Sequence, residues 1–207
     1  MPPFTVLHVC LGNICRSPMA ERLLALAVTQ RLGKLDPDAD PDDLLRSVSA
    51  GMGGWHAGEE MNPPAARQLR LRGGNTDGFA ARKLSAPHLA EAGLILTATG
   101  EQVGLVGDLL PDAAGRTFVL GHFGRLVRQM DLAALPPAGT EPDVFAARAA
   151  AVVAAANQLR VKVEPLPTDD VDDPWGRGDQ TFQRVADEID DTMALLVAAL
   201  LPGPEAA

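Results

Sequence analysis

Residues 4–18 read Phe-Thr-Val-Leu-His-Val-Cys-Leu-Gly-Asn-Ile-Cys-Arg-Ser-Pro: an apolar run, a loop bracketed by Cys10 and Arg16, and a helix start. Phe4 to Val9 favours β structure and brings Cys10 to the end of a strand. Ser17 suits an N-cap and Pro18 the first helical position, with Met19 to Leu32 continuing as helix. Gly12 removes a Cβ where backbone must approach an anion, and Asn13 tolerates the left-handed conformation such a loop needs. Backbone amides and a helix N-terminus then converge on one spot suited to a phosphate-like dianion. Arg16 adds a planar, permanently charged fork for two of its oxygens. The same positive field favours the thiolate of Cys10, the form that acts as nucleophile. Cys-X5-Arg spacing alone is common; the strand before it and the Ser-Pro after it give it meaning.

Outward from this loop, four β-rich runs read as parallel strands: Phe4 to Val9, Leu45 to Ala50, Gly93 to Ala98 and Arg116 to Leu120. Helical patterns lie between them at Met19 to Leu32, Pro64 to Arg72, Ala86 to Ala92 and Glu101 to Leu110. That alternation predicts an α/β fold of right-handed βαβ units, with the ligand site at the carboxyl ends of the strands, where Cys10 falls. Strand order does not follow from spacing. One domain over residues 1–202 is expected, with two insertions. Residues 33–43 have the composition of a solvated acidic loop. Residues 135–168 start and end with prolines and enclose an alanine-rich helix, Asp143 to Leu159, which reads either as packing on a sheet flank or as a lid or partner surface. Phe182 to Leu201 carries one apolar stripe and reads as core; Pro202 ends it, and 203–207 reads as a disordered tail.

The net charge of −9 over 207 residues argues against nucleic-acid binding and against docking on acidic membranes, because both need a basic face. No stretch approaches the roughly 20 apolar residues of a membrane span, and the first apolar run lacks the basic region of a signal peptide. Two cysteines in one loop are not a disulfide framework, and a thiolate nucleophile needs a reducing compartment, so a cytoplasmic location is expected. His8, His56, His88 and His122 lack metal-ligand spacing and read as surface or loop residues, so no metal or cofactor is expected.

Attack of a thiolate on a phosphate ester needs a proton donor for the leaving oxygen, and later a base for the water that cleaves the phosphocysteine. The candidate carboxyl lies in Val171-Asp172-Asp173-Pro174-Trp175-Gly176, where Pro174 holds Asp173 extended and Gly176 permits a turn. Read from the residues alone, Asp173-Pro174 is equally a plain turn, as at 36–37 and 40–41, and Asp172, Asp169 and Asp170 compete with Asp173. Cys15 is either a small residue packed under the loop or a resolving thiol for oxidised Cys10.

At these positions the chain resembles the low-molecular-weight protein tyrosine phosphatases. Cys10 to Pro18 matches that family's signature, Ser49-Ala50-Gly51 followed by Trp55 is similar to its second-strand segment, and Asp173-Pro174 to its general-acid loop. The resemblance covers roughly the first 125 residues and resumes near Asp172 to Phe182. It implies an open four-stranded sheet in the order 2-1-3-4, flanked by helices on both faces, and phosphomonoester hydrolysis through a phosphocysteine. The implied roles are Cys10 as nucleophile, Arg16 with the backbone of Leu11, Gly12, Asn13, Ile14 and Cys15 as phosphate cradle, and Asp173 as acid and then base. Ser17 is implied to hydrogen-bond the thiolate. Leu11, Trp55 and Trp175 are implied to wall a phenyl ring, although the family often has Tyr where Trp175 stands. Relatives acting on phosphoarginine tend to carry Thr at the position of Ile14, so the implied partner is a phosphotyrosine protein or a small aryl phosphate. Arg82 matches a family arginine near the sheet edge, or is a surface charge. Two other functions share these features. Arsenate reduction would need an external thiol, because no cysteine lies outside the loop. A phosphate-binding redox sensor with little turnover would not need Cys10, Arg16 and Asp173 together. Oligomeric state is not legible.

Overall fold

The computed structural model describes residues 2–203; of the expected tail, residues 204–207 lie outside the described residues. Strands β1 (Phe4–Cys10), β2 (Leu45–Gly51), β3 (Leu94–Thr97) and β4 (Thr117–Val119) form one parallel sheet in the order β2-β1-β3-β4. The central strand β1 is an almost unbroken apolar run because both its faces are covered. Val6, Cys10, Leu94, Leu96 and Phe118 point to one face, and Leu7, Val9 and Ile95 to the other.

The larger core lies under α1 (Arg16–Leu35), α3 (Pro63–Leu71), α6 (Leu120–Arg128), α7 (Pro142–Leu159) and α8 (Asp179–Leu200). The smaller lies under α4 (Ala86–Glu91) and α5 (Gly100–Leu109), through Leu89 and Val106. Helix α8 buries the expected stripe of Phe182, Val185, Ile189, Met193, Leu196 and Leu200. Helix α7 buries Phe145, Ala149, Val152, Val153 and Ala156 and packs against α6 and α8. Among the described residues no helix is long and apolar enough to cross a membrane.

Several expectations need correction. Helix α1 begins at Arg16, so Ser17 lies inside it and caps nothing with its side chain. Residues 33–35 complete α1 rather than joining the acidic loop, since Leu32 and Leu35 pack on the core. Part of the rest of that loop is the single turn α2 (Pro41–Leu44), capped by Asp40, whose carboxylate accepts from the Asp42 amide at 2.9 Å. His8 and His122 are buried, not surface residues. His8 Nε2 lies 3.1 Å from Ser47 Oγ, and burial lowers its pKa to about 3, so it is neutral in the fold.

Candidate active site

The loop after β1 turns through Asn13, whose φ of 57° places it in the left-handed region. Gly51, at the end of neighbouring β2, makes room for this turn: a Cβ there would stand 2.9 Å from the Asn13 nitrogen. Asn13 contributes through its back rather than through the cavity. Its Nδ2 donates to Ser17 Oγ at 2.9 Å and to Ser49 Oγ at 2.8 Å, and its Oδ1 accepts from the Arg82 amide at 2.8 Å. With both amide protons spent on the two hydroxyls, Ser49 Oγ donates to Glu21 at 2.6 Å and Ser17 Oγ faces Cys10 Sγ at 3.0 Å. The Asn13 amide donates to the same sulfur at 3.3 Å. Ser17 Oγ is thus engaged with Cys10 Sγ and, at 3.4 Å, with the Ala50 carbonyl, and it does not cap α1. Arg82 is more than a surface charge: its Nε also donates to the Ser49 carbonyl at 2.7 Å. Burial pushes the Glu21 carboxyl up, against the opposing Ser49 hydrogen bond and the charges of Arg22 and Arg82.

Cys10, Leu11, Gly12, Ile14, Cys15 and Arg16 line one face of a cavity of about 230 Å³, and Trp55, His56, Asp173 and Trp175 line the rest. Arg16 is buried; its Nη1 donates to the Val171 carbonyl at 3.1 Å, and its Nη2 pairs with Asp173 Oδ2 at 2.9 Å. The Asp173 side chain is 46% exposed, with a second tie from the Trp175 amide to Oδ1 at 3.2 Å. Asp172 lies outside the cavity wall and pairs with Arg184 at 2.5 Å. Asp169 is buried against Arg125, and Asp170 accepts from the Gly100 amide, so neither lines the cavity. Burial, then the nearby Cys10 and Asp173, push the Cys15 thiol up to about 12, which keeps it neutral.

Of the expected ligand-contacting residues, Asn13 and Ser17 do not line the cavity and act from behind it. Trp55 and Trp175 are each 63% exposed, as open walls rather than core residues. One lining residue escaped sequence reasoning. His56 sits in the turn after Trp55, and its Nδ1 lies 2.7 Å from Glu59 Oε2. The only signal available was the His-X2-Glu spacing beside a tryptophan. No residue of α7 lines the cavity.

A cysteine at the end of a central strand, facing an arginine and a carboxyl across one pocket, places the chain among α/β proteins with a cysteine–arginine anion loop. The family model described as low molecular weight phosphotyrosine protein phosphatase matches residues 5–168, and the chain belongs to that family. It is 40% identical over 102 residues to low molecular weight protein-tyrosine-phosphatase YfkJ of Bacillus subtilis, covering 48% of this chain and 59% of the relative. It is equally 40% identical over 113 residues to low molecular weight protein-tyrosine phosphatase A of Mycobacterium tuberculosis, covering 54% of this chain and 63% of that one. The chain therefore spans about three-fifths of the length of these curated relatives. Among solved structures, YfkJ of Bacillus subtilis superposes with a TM-score of 0.64 at 25% identity, covering 95% of this chain and 93% of that one.

Proposed function

We propose that this protein removes phosphate from phosphotyrosine, in a protein or as a small aryl phosphate, through a cysteinyl-phosphate intermediate. The observation that carries this is the convergence of Cys10, Arg16 and Asp173 on a single cavity walled by two exposed tryptophans. Family membership supports the reaction class, and the flat apolar faces of Trp55 and Trp175 support an aryl group over an alkyl one.

In the reaction, the phosphate dianion takes the Arg16 fork, now shared with Asp173, and the loop amides. Asp173 is thereby released to turn toward the leaving oxygen, which its exposed side chain can do. The Cys10 thiolate, held by the Ser17 hydroxyl and the Asn13 amide, attacks phosphorus along the line of the ester bond. The sulfur–phosphorus bond forms as the phosphorus–oxygen bond breaks, and Asp173 gives its proton to the departing phenolate. Asp173 then takes a proton from water, whose oxygen attacks phosphorus, and free phosphate and the Cys10 thiolate result. A reducing compartment such as the cytoplasm suits this chemistry.

The test is hydrolysis of phosphotyrosine, phosphoserine and phosphoarginine peptides with and without a chelator, beside thiol-supported arsenate reduction. A chelator-insensitive preference for phosphotyrosine is expected. Turnover confined to arsenate, or none at all, would refute the reading.

A further inference from the structure

Resting on that reading, we infer that the Arg125–Asp169 pair is the clamp that sets where Asp173 stands, making Arg125 a positioning residue for the acid step although it lies outside the cavity. The segment leading to Asp173 is tied down residue by residue. Asp169 is 4% exposed and accepts Arg125 Nε at 2.7 Å, Arg125 Nη2 at 2.8 Å and the Leu166 amide at 2.7 Å. The same Nη2 donates to the Glu164 carbonyl at 2.7 Å, so the guanidinium spans both ends of the turn that precedes the acid. Asp170 accepts from the Gly100 amide at 2.8 Å, and the Val171 amide donates to the Ala98 carbonyl at 2.8 Å. The Val171 carbonyl in turn takes Arg16.

Helix α6 is shaped for this contact. Gly121 lies one turn before Arg125 on the same face, and a Cβ there would stand 2.5 Å from the Asp169 carbonyl oxygen. The helix backbone thus lies directly against the loop. On the α8 side, Thr168 to Val171 border a groove of about 200 Å³ also lined by Gly124, Arg128, Asp191 and Leu195, while Val171 itself is buried in the core. Along that groove the loop is fastened by the buried Asp169 carboxylate and the partly exposed Arg125 guanidinium. Among the described residues Asp173 has two ties of its own, Arg16 and the Trp175 amide, and substrate competes for the first. Once a dianion occupies Arg16, the reach of Asp173 toward the leaving oxygen is inherited from the clamped residues before it.

The experiment compares kcat/KM for phenyl phosphate, a poor leaving group, with that for p-nitrophenyl phosphate, in Arg125→Met and in the parent. The clamp predicts a loss of about 10-fold or more on phenyl phosphate, under about 3-fold on p-nitrophenyl phosphate, and unchanged inhibition by inorganic phosphate. In an Asp173→Asn background, Arg125→Met should cause no further loss on phenyl phosphate, because the group it positions is already disabled. Arg125→Lys should recover part of the loss. Where Arg125→Met does not fold, Asp169→Asn, which keeps the side chain's size, gives the same pattern. Equal losses on both substrates, or an undiminished loss on top of Asp173→Asn, would overturn the clamp. Hydrogen exchange gives a readout independent of turnover: amides 166–173 should exchange faster in Arg125→Met while amides 10–16 do not, and unchanged exchange at 166–173 would also overturn it. A parent without phosphatase turnover would refute the proposed function instead, and exchange would still decide the clamp.

Discussion

Asn13 shows how much one side chain can organise. Its left-handed backbone bends the loop, and its amide group joins Ser17, Ser49 and the Arg82 backbone behind the cysteine. Asn13→Ala adds backbone strain to the loss of these bonds, whereas Asn13→Gly loses the bonds alone. Both variants should lose about 2–3 kcal/mol in urea unfolding, with Gly the milder by about 1 kcal/mol, and both should lower kcat. If Gly restores parental stability, the hydrogen bonds contribute little and the turn conformation is the whole effect. At the same scale, Arg16→Lys keeps the charge and loses the fork, so kcat should fall about 10²-fold or more in steady-state assays. The placement of the cysteine and arginine was legible because strand, loop and helix start are contiguous in the sequence. The work of Asn13 behind the cavity was not, since Ser49 and Arg82 come from distant segments and only the folded sheet edge brings them together.

Among the elements, β1, α1 and α8 follow from apolar periodicity, to within a few residues. Helix α6 was missed for a physical reason. Its stripe of Leu120, Phe123, Leu126 and Val127 is regular, but Gly121 and Gly124 lower its helix propensity. Both glycines answer to tertiary contacts, one with the Asp169 backbone and the other with Thr192 Oγ1, 3.0 Å from where a Cβ would stand. No local pattern reports such contacts. The four aspartates at 169–173 were likewise indistinguishable in sequence, and the structure separates them by partner: Arg125, the Gly100 amide, Arg184 and Arg16. Burial by itself would raise the Asp169 carboxyl, but the Arg125 hydrogen bonds, the Leu166 amide and the charges of Arg125 and His122 together hold it below the ordinary range. A carboxyl depressed in the fold stabilises above its unfolded value, near 4, and that stabilisation is lost as pH falls through the folded value. Asp169→Asn should therefore cost about 1–2 kcal/mol at pH 7 in chemical denaturation, with the gap from the parent narrowing at acid pH. A gap independent of pH would mean the pair contributes no charge-dependent stability.

The molecule as a whole places one uncharged histidine, His8, in its interior beneath the Cys10–Arg16 loop. His8 has a folded pKa of about 3 against an ordinary 6.5, so the unfolded chain binds a proton that the fold refuses. The sign follows: stability is intact above about pH 6.5 and is lost progressively as pH falls toward 3. His8→Leu should flatten the decline in thermal midpoint between pH 7 and pH 4 relative to the parent. Parallel declines in the two proteins would show that His8 is not what makes the fold acid-sensitive.

The sheet order, the two cores and the acid loop all bring one sulfur, one guanidinium and one carboxyl to a common cavity. The direct test is to quench the Asp173→Asn variant in acid during turnover of p-nitrophenyl phosphate and read the peptide carrying Cys10 by mass spectrometry. The peptide should carry one phosphoryl group on Cys10, and Cys10→Ser should carry none on a cysteine and turn over at least about 10⁴-fold more slowly. Phosphate release with no phosphoryl group ever found on Cys10, or undiminished turnover by Cys10→Ser, would contradict the account.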